Sequence, residues 1–487
     1  MFTSAKLVAS RFLGRVAALG IAVGSSALWV PIDAQALPVF ARQTGQNCVA
    51  CHAGGQFPEL TPYGRMFKMT GYTIGSRTVP FSIMGLGSFA KIADTSKSTN
   101  PDADFPKDGK VVFATGSLFI AGKVSDNIGA FTQITYDNYA TQDENGGFHG
   151  HSQADNMDFR YADHLVDGSR DFVYGVSLNN NPSVTDPWNT AAAWMQYVPV
   201  PSPASYQFID GATPYPGFGS GGNIAGLNAY LFWNKTIYAE VGAYRSANGA
   251  FSFMSQGIDS ASKTYLSGSN PYWRLAYSRE WGPHNLMVGT SGMVAHVYDA
   301  GSDTSDPNNL SRIRNTGVDA QYQYILDPHV VTAQLAYMRQ VQDYSVNTLA
   351  GGAPFFLADG VTQVDPNPSD TINVFRAKVS YVYQAKYGGS LAFFNSSGTT
   401  NSLNQSSGYD ATGQIASSAS LGAGNLAGNP GTRGSTFELF WTPIQYMRLG
   451  AQYTAYSKYN GASTNYDGLG RNASDNNSLF IYLWAAY

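Results

Sequence analysis

The chain has 487 residues with a formal net charge of −4, and 13% of its residues are charged while 14% are aromatic. Soluble domains carry about 25% charged residues, so this composition favours a membrane β-barrel with aromatic girdles, although a secreted β-sandwich could share it. The near-neutral charge gives no reason to expect a nucleic-acid partner.

Residues 1–36 have the pattern of a signal peptide. Basic residues precede an apolar stretch over 16–30, and Ala34-Gln35-Ala36 is a small-residue cleavage site. The pattern predicts an exported protein whose mature chain begins at Leu37. A retained membrane anchor is the alternative, but the apolar stretch is short and interrupted by Gly and Ser. Beyond it, no run of about 20 apolar residues predicts a transmembrane helix.

The chain has 2 cysteines, and both belong to the motif Cys48-Val49-Ala50-Cys51-His52. This spacing predicts one covalently attached c-type haem, because two thiols bond its vinyl groups and the adjacent imidazole binds the iron. Export agrees with this prediction, since the attachment takes place outside the cytoplasm. A redox-active dithiol would need a thioredoxin-like βαβ unit and a zinc site would need further ligands, and neither is evident around the motif.

The motif belongs to a small segment, residues 37–79, which cannot build a large core unless a haem supplies apolar mass. Thr61 as N-cap, Pro62 in the first turn and Gly71 after the end predict a short helix that reaches Met69. We therefore expect a small α-helical cytochrome segment ahead of the rest of the chain.

The second axial ligand of the iron stays open, with Met66 and Met69 as the first candidates. These two residues are three apart, so one helix face could offer either. A His/Met pair raises the reduction potential, as an acceptor of electrons from iron requires. Alternatively, both methionines pack against haem or the barrel wall, a more distant histidine or Met84 binds the iron, or the sixth position is open.

Residues 80–487 predict an all-β domain, an antiparallel transmembrane β-barrel of about 16 strands. Runs rich in Val, Ile, Tyr, Phe and Thr are joined by connections that alternate between short and long, which is typical of outer-membrane barrels. An even strand number with long first and last loops leaves both chain ends in the periplasm and the long loops outside the cell. The predicted strands begin near Phe81, Lys110, Asn127, Asn156, Asp171, Ile224, Thr236, Tyr272, His284, Asn315, His329, Thr371, Tyr387, Ser435, Met447 and Ser478.

Alternation along single strands predicts which face meets lipid. In the run 236–244, Ile237 and Val241 lie on one face, whereas Glu240 lies on the other, which we expect to face the lumen. The last run, 479–487, is apolar on both faces, and a water-filled lumen does not explain that pattern. A lumen partly filled by another part of the chain would explain it.

The signal peptide, the run Asn47–His52, the run Phe57–Tyr72 and the large barrel together resemble the fused monohaem cytochrome c–porins in the outer membrane of iron-oxidising bacteria. The resemblance implies that Cys48 and Cys51 bind haem covalently, that His52 is an axial ligand, and that the cytochrome segment is held in or at the barrel lumen. It also implies oxidation of extracellular Fe(II), with electrons passing to a periplasmic cytochrome c or to a blue-copper protein of the rusticyanin type.

A candidate Fe(II) site lies in one predicted external loop, with Asp143, Glu144, His149, His151 and Asp155. Imidazole and carboxylate groups are plausible ligands for such an ion. A solvated polar loop is the simpler interpretation, and at acid pH the imidazoles would be protonated and poor ligands.

The predicted function is electron transfer across the outer membrane. The protein would act as an oxidoreductase that takes electrons from Fe(II) and passes them to a periplasmic carrier. A diffusion porin with a haem-bearing plug is an alternative, and it would conduct ions whatever the state of the haem. An extracytoplasmic haem enzyme of the peroxidase type is another, and it would need an open sixth position and a distal histidine, which does not occur near the motif. A β-propeller with a haem segment is the structural rival, and the alternating loop lengths disfavour it.

Overall fold

The computed structural model describes residues 38–55, 59–97, 105, 107–142, 147–190, 223–255, 265–299, 302–351, 355–356, 363–364, 367–401, 429–468 and 470–487. The predicted signal peptide, residues 1–36, lies outside the described residues, and so does Leu37. Residues 35–487 form one compact unit, so the predicted cytochrome segment and the β-domain can be described together.

A group of short helices precedes the sheet. They are α1 (Pro38–Thr44), α2 (Cys48–Cys51), a 3-10 turn (Ala53–Gly55) and α3 (Pro62–Met69). α3 has the ends that the sequence predicts: the Thr61 hydroxyl accepts a hydrogen bond from the Gly64 N–H, and Gly71 follows the helix with a φ of 72°. None of the described helices is both long and apolar enough to cross a membrane.

The main sheet contains sixteen long antiparallel strands that follow their order in the chain, as the sequence predicts. They are β1 (Phe81–Ile92), β2 (Val111–Lys123), β3 (Ile128–Gln142), β4 (Phe148–Asp167), β5 (Arg170–Asn179), β6 (Ile224–Trp233), β7 (Ile237–Ser246), β8 (Asn270–Trp281), β9 (His284–Tyr298), β10 (Leu310–Leu326), β11 (His329–Asp343), β12 (Ser369–Tyr383), β13 (Tyr387–Gly398), β14 (Thr432–Ile444), β15 (Met447–Lys458) and β16 (Ser478–Ala486). Each strand therefore forms a hairpin with the next.

The sheet closes on itself. β1 pairs with β2 on one side and with β16 on the other, where Met84 lies opposite Ala486 and Ile92 opposite Ser478. Closure leaves no edge of the described barrel with unpaired backbone N–H and C=O groups, which lipid could not satisfy. The sequence-based prediction of a closed sixteen-stranded barrel is confirmed.

The connections alternate in length around the barrel. Two- to four-residue turns join each even-numbered strand to the next strand, whereas each odd-numbered strand is followed by a longer connection. β1 begins and β16 ends at the short-turn end, so the helical segment and Tyr487 both adjoin that end. Small elements lie in the long connections: Pro182–Thr185, Gly249–Met254, Tyr265–Leu266, Pro307–Asn309, Val346–Gly351, the pair Phe355–Phe356 and Gln363–Val364, and Ala473–Asn476.

One long connection is shorter than the sequence predicts. β4 begins at Phe148, not near Asn156, and Phe148 pairs with Gln142 at the end of β3. After Phe148, residues 149–156 of β4 are polar apart from Gly150 and Ala154, so a pattern that relies on apolar side chains does not detect them. Backbone pairing extends the strand nevertheless, because it needs no apolar side chain.

Side chains alternate between a lipid-facing and a lumen-facing side. In β7, Val241 is 62% exposed whereas the adjacent Glu240 is 2% exposed, as the alternation predicts. In β16, Leu479 is exposed whereas Phe480 and Tyr482 are buried. The apolar inner face of β16 is therefore buried, and Phe480 and Tyr482 pack with Leu86 and Ala90 of β1 and Ala114 of β2.

Several strand glycines lie directly opposite an aromatic residue of the neighbouring strand. The pairs are Gly175–Tyr230, Gly226–Tyr244, Gly292–Trp273, Gly388–Phe440 and Gly450–Tyr482. A Cβ atom at Gly450 would lie 2.3 Å from Cε1 of Tyr482. The Tyr482 ring is held in place, because its hydroxyl donates a hydrogen bond to Glu438 at 2.6 Å. The missing side chains thus give the aromatic rings room on the adjacent strand.

Replacing Gly450 with Ala should destabilise the folded barrel by about 1–3 kcal/mol, because the Tyr482 ring must leave its site. The measurement is the denaturant midpoint for loss of the folded band on unheated gels. Gly85→Ala is the matched control, since a Cβ there makes only an ordinary 3.5 Å contact. Equal midpoints for the two variants would contradict this account.

Candidate functional site

The haem motif forms a single helical turn followed by a bend. Cys48 and Cys51 are the first and last residues of α2, and His52 leaves the helix in an extended conformation. His52 then forms an isolated antiparallel bridge with Leu60, and the Ala53 N–H donates to the Glu59 carbonyl at 2.9 Å. The residues on both sides of the bend are therefore paired, which fixes the position of His52 relative to α2.

α3 packs directly on the backbone of α2. The Thr61 N–H donates to the Cys51 carbonyl at 2.9 Å, and the Thr61 hydroxyl donates to the Ala50 carbonyl. A Cβ atom at Gly64 would lie 2.1 Å from the Cys51 carbonyl oxygen. Only glycine allows this approach, so Gly64 sets the distance between the two helices.

The motif is docked at the short-turn end of the barrel. The Cys48 N–H donates to Oε1 of Gln445, and its thiol donates to the Gln445 carbonyl, both at 3.2 Å. Gln445 lies in the turn between β14 and β15. On β12, Val382 contacts the 3-10 turn so closely that a Cβ atom at Gly54 would lie 2.8 Å from it.

Another part of the wall holds the loop that carries Leu60. The Arg65 guanidinium donates to the Leu60 carbonyl at 2.7 Å and to Oε1 of Gln323 at 2.9 Å. The Gln323 amide donates to the same carbonyl at 3.2 Å. On β12, Lys378 forms a salt bridge of 2.7 Å with Glu59. The bend after the motif is thus tied to β10 and β12.

The two candidate methionine ligands lie in different surroundings. Met69 is 1% exposed in an apolar cluster with Trp188, which lies in the connection after β5, and with Tyr230 and other wall residues, whereas Met66 is only partly buried at the edge of that cluster. The Tyr230 hydroxyl donates to the Met69 carbonyl at 2.6 Å. Met69 therefore packs against the barrel wall, an arrangement that the sequence left open, and its role as an axial ligand stays a prediction.

Buried charges join the end of α3 to the wall. Arg160 and Asp158 on β4 form a fully buried ion pair of 2.6 Å, and Tyr72 donates to the same carboxylate at 2.6 Å. Lys68 donates to the Asp186 carbonyl at 2.8 Å. Removal of one partner of such a pair leaves an uncompensated buried charge, which typically costs about 3–5 kcal/mol.

A strap formed by residues 181–190, the start of the connection after β5, also enters the lumen. Its Asp186 carboxylate forms a salt bridge of 3.0 Å with Arg274, which in turn pairs with Asp319 at 2.9 Å. The Trp188 carbonyl accepts a hydrogen bond from Gln321. The strap, α3 and the wall therefore form one packed layer across part of the lumen.

The thiols do not have the properties of a redox dithiol. Burial raises the pKa of the Cys51 thiol to about 11, whereas reactive C-x-x-C cysteines have a lowered pKa. The surrounding fold is a barrel and not a βαβ unit. Both observations disfavour the dithiol alternative.

The candidate Fe(II) loop is not present as predicted. His149, His151 and Asp155 lie on β4, and Asp143 and Glu144 lie outside the described residues. Within the described ranges, no group of three or more His, Cys, Asp or Glu side chains could hold a metal ion. The prediction that residues 148–155 belong to a loop was wrong, because β3–β4 pairing continues to Phe148; the prediction that this part of the chain lies outside the cell is not tested.

The residues present fit a covalently bound haem. Cys48 and Cys51 carry thiols three residues apart on one helical turn, and an imidazole follows directly. Both polar side-chain atoms of Gln334 on β11, and Oε2 of Glu59 in the bend after the motif, are buried without a hydrogen-bond partner in the described part of the chain. Buried polar atoms of this kind indicate that a further group or water belongs there.

Sequence reasoning found the motif but missed its anchors. Arg65, Gln323, Lys378 and Gln445 make the contacts that hold it, and three of them are on strands or turns far along the chain. Their only signal in the sequence is a polar residue at a lumen-facing position or in a turn. That signal does not reveal which side chains meet across the lumen.

No family model matches the chain, and no curated protein matches it. Among solved structures, it is similar to OmpF of Salmonella typhi in complex with daunomycin, with 11% identity, TM-score 0.42, and coverage of 84% of this chain and 97% of that one. It is also similar to the outer membrane channel DcaP of Acinetobacter baumannii, with 12% identity, TM-score 0.41, and coverage of 84% and 96%. Similarity at this level gives no information about the function of this chain, and the fold follows from its own strand pairing.

Replacing Gly64 with Ala should separate α3 from α2, because the new Cβ atom meets the Cys51 carbonyl. Trypsin should then cut after Arg65 and Lys68, which are buried in the native protein. The cleavage rate should rise about tenfold for each 1.4 kcal/mol by which the packing of α3 on α2 is weakened. Gly168→Ala, in a turn with no atom within 4 Å of the new Cβ, is the control. Unchanged cleavage of the Gly64→Ala protein would show that this contact does not dock the helix.

Proposed function

We propose that this protein is an outer-membrane electron carrier that oxidises extracellular Fe(II) through one c-type haem and delivers the electrons to a periplasmic carrier. The observation that carries the proposal is the location of the Cys48–His52 motif, which is docked at the short-turn end of a closed barrel through Gln445 and Val382. A haem placed there would lie at the mouth of a barrel that crosses the membrane, on the side of the short turns.

The lipid-facing surface supports placement in an outer membrane. Outward positions of the strands carry large apolar or aromatic side chains, for example Leu391, Leu439 and Trp441. A closed antiparallel barrel with an apolar outer surface is the architecture of outer-membrane proteins. In that architecture the short turns face the periplasm, which would put the motif and Tyr487 on the periplasmic side and the long connections outside the cell.

Each residue of the motif has a distinct part in the proposal. Cys48 and Cys51 would hold the haem through thioether bonds, and His52 would bind its iron, with Met66 or Met69 as a candidate second ligand. The bound haem would supply a one-electron couple between ferrous and ferric iron. The bridge from His52 to Leu60 and the contact of Gly64 with α2 hold the imidazole in place.

The packed layer in the lumen suits transfer of electrons alone. Oxidised iron is poorly soluble and can remain outside, so only the electron has to cross the membrane. α3, the strap and the Arg160–Asp158 pair occupy part of the lumen and hold the haem segment there. The nature of the donor and of the acceptor, a periplasmic cytochrome c or a rusticyanin-like blue-copper protein, rests on the family resemblance.

Covalent haem is the first expected result. The wild-type protein should keep its haem on a denaturing gel, and the double variant Cys48→Ser/Cys51→Ser should lose it, because the thioether bonds cannot form. Ala50→Ser, inside the motif but not a ligand position, should keep it. Wild-type protein that has no haem and two titratable thiols would overturn the proposal.

Reduction by ferrous iron is the second expected result. Stopped-flow spectroscopy of the oxidised protein in detergent, mixed with Fe(II) at acid pH, should show rapid, stoichiometric growth of the reduced α-band near ~550 nm. Dithionite provides the control for complete reduction. If dithionite reduces the haem and Fe(II) does not, iron is not the donor. Ion conductance in planar bilayers, whatever the haem state, would then favour a porin with a haem-bearing plug.

A further inference from the structure

Two hairpins at the short-turn end of the barrel repeat the same arrangement on their outward faces. His284 and His329 are the first residues of β9 and β11, and they lie directly opposite Tyr324 on β10 and Tyr383 on β12. His329 is exposed, and Val288, at an alternate position of β9 relative to His284, is 51% exposed. Both imidazoles therefore lie at the rim of the barrel, on its outer surface.

A second tyrosine holds each imidazole. Nδ1 of His284 lies 2.8 Å from the hydroxyl of Tyr322, and Nδ1 of His329 lies 2.8 Å from the hydroxyl of Tyr381. With the hydroxyl as donor to Nδ1, a neutral imidazole carries its hydrogen on Nε2, and a protonated imidazole does so too. Each pair thus fixes one ring and presents one N–H donor for which the described residues supply no acceptor.

An unpaired arginine lies on the same outward face. Arg279 is exposed on β8, and its guanidinium carbon lies 5.8 Å from the centre of the Trp281 ring. Among the described residues it forms no salt bridge, and the outward positions of β8–β12 in the half next to the short turns carry no carboxylate. The turns of this face add exposed Asp327 after β10 and exposed Lys386 after β12. A guanidinium on this surface obtains an anionic partner from the membrane.

Another part of the rim, on β4–β7, balances its cations within the protein. His164 and Lys235 both pair with Asp171, at 2.7 and 3.2 Å, and Arg170 pairs with Asp167 at 2.7 Å. The cationic side chains of the β8–β12 face have no such carboxylate partner in the described structure. This face of the rim therefore attracts anions, whereas the β4–β7 face does not.

Aromatic rings surround the donors and indicate their depth in the membrane. Trp281 stacks on His284 with ring centres 5.4 Å apart, and the ring of Tyr383 lies 5.5 Å from that of His329. Trp281, Tyr381 and Tyr383 are exposed. Tryptophan and tyrosine on the lipid-facing surface are typical of the level of the headgroups. The donors thus lie where phosphate groups lie and not among the acyl chains.

We propose that Arg279, His284 and His329, which we call the basic rim, bind the phosphate groups of glycerophospholipids in the leaflet at the short-turn end. The guanidinium and the two Nε2–H groups donate to phosphate oxygens, which are strong acceptors for such donors. β9 and β11 are about 10 Å apart across β10, so the two histidines bind neighbouring headgroups. The inference rests on the membrane placement in the proposed function and not on the haem.

The test uses the full-length protein, purified in a neutral detergent and freed of lipid, with phosphatidylglycerol as the probe. Native mass spectrometry counts the bound lipids across a titration. Arg279→Gln/His284→Gln/His329→Gln should weaken binding by at least about tenfold, because donors to a charged oxygen are lost. Diacylglycerol with the same acyl chains lacks the phosphate, so it should bind weakly and respond little to the substitutions.

His164→Gln/Arg170→Gln/Lys235→Gln is the matched control. It removes three basic side chains from the rim, but each of them has a carboxylate partner in the native protein. Its affinity for phosphatidylglycerol should stay within about twofold of the wild-type value, because exposed ion pairs contribute little. The folded band on unheated gels shows whether each variant keeps the barrel. Arg279→Gln alone, with a severalfold loss, provides the test if the first triple variant does not fold.

Two results would overturn the inference: equal affinity of the basic-rim variant and the wild type for phosphatidylglycerol, or equal binding of phosphatidylglycerol and diacylglycerol. A lipid-free oligomer of the wild type that dissociates in the basic-rim variant would overturn it too, because the face would then bind a second copy of the chain.

Reduction of the haem by Fe(II), measured on the same preparations, separates this inference from the proposed function. If Fe(II) reduces the haem and the phosphate is not recognised, the basic rim fails and the electron carrier stands. If phosphatidylglycerol binds as expected and Fe(II) does not reduce the haem, the phosphate site stands and the iron-oxidising function fails.

Discussion

Lipid offers no hydrogen-bond partner to a backbone, and this constraint determines the form of the whole β-domain. Every N–H and C=O group of a membrane-spanning strand has to be paired with another strand. Pairing of β1 with β16 covers the last two edges. Closure then creates an inside and an outside, so that each strand must alternate between apolar residues toward lipid and other residues toward the lumen. The identity of those inner residues is the remaining freedom, and this protein uses it to hold its N-terminal segment.

The inner residues hold that segment with polar contacts as well as apolar packing. Arg65, Lys378 and Gln445 bind the bend and the helix that carry the haem motif, and the buried Arg160–Asp158 pair lies beside the end of α3. Such contacts are strong only where water is excluded and only when every partner is present. Their directionality specifies one orientation of the segment, which apolar packing of Met69 and its neighbours alone would leave less defined.

Gly64 shows how one missing side chain connects fold and proposed chemistry. Its hydrogen atom is all that fits against the Cys51 carbonyl, so α3 can lie directly on the turn that carries both thiols. α3 is in turn bound to the wall and to the strap through Arg65 and Lys68. The position of the motif within the barrel thus depends on a continuous set of contacts that begins at a glycine.

The sequence by itself determined the number of strands, the alternation of their faces, the ends of α3 and the haem motif. These features depend on local chemistry: a period of two, the N-cap Thr61, the glycine after the helix and the spacing of two cysteines. The start of β4 escaped this reasoning, because its polar residues are held by backbone pairing to β3.

Only the tertiary structure decided where the motif is docked and what surrounds it. Lys378 meets Glu59 across 319 residues of chain, and Cys48 meets Gln445 across 397. Alternation tells that Lys378 faces inward, but not which part of the chain it meets there. That pairing follows from the curvature and closure of sixteen strands, a property of the complete barrel that no local run of residues contains.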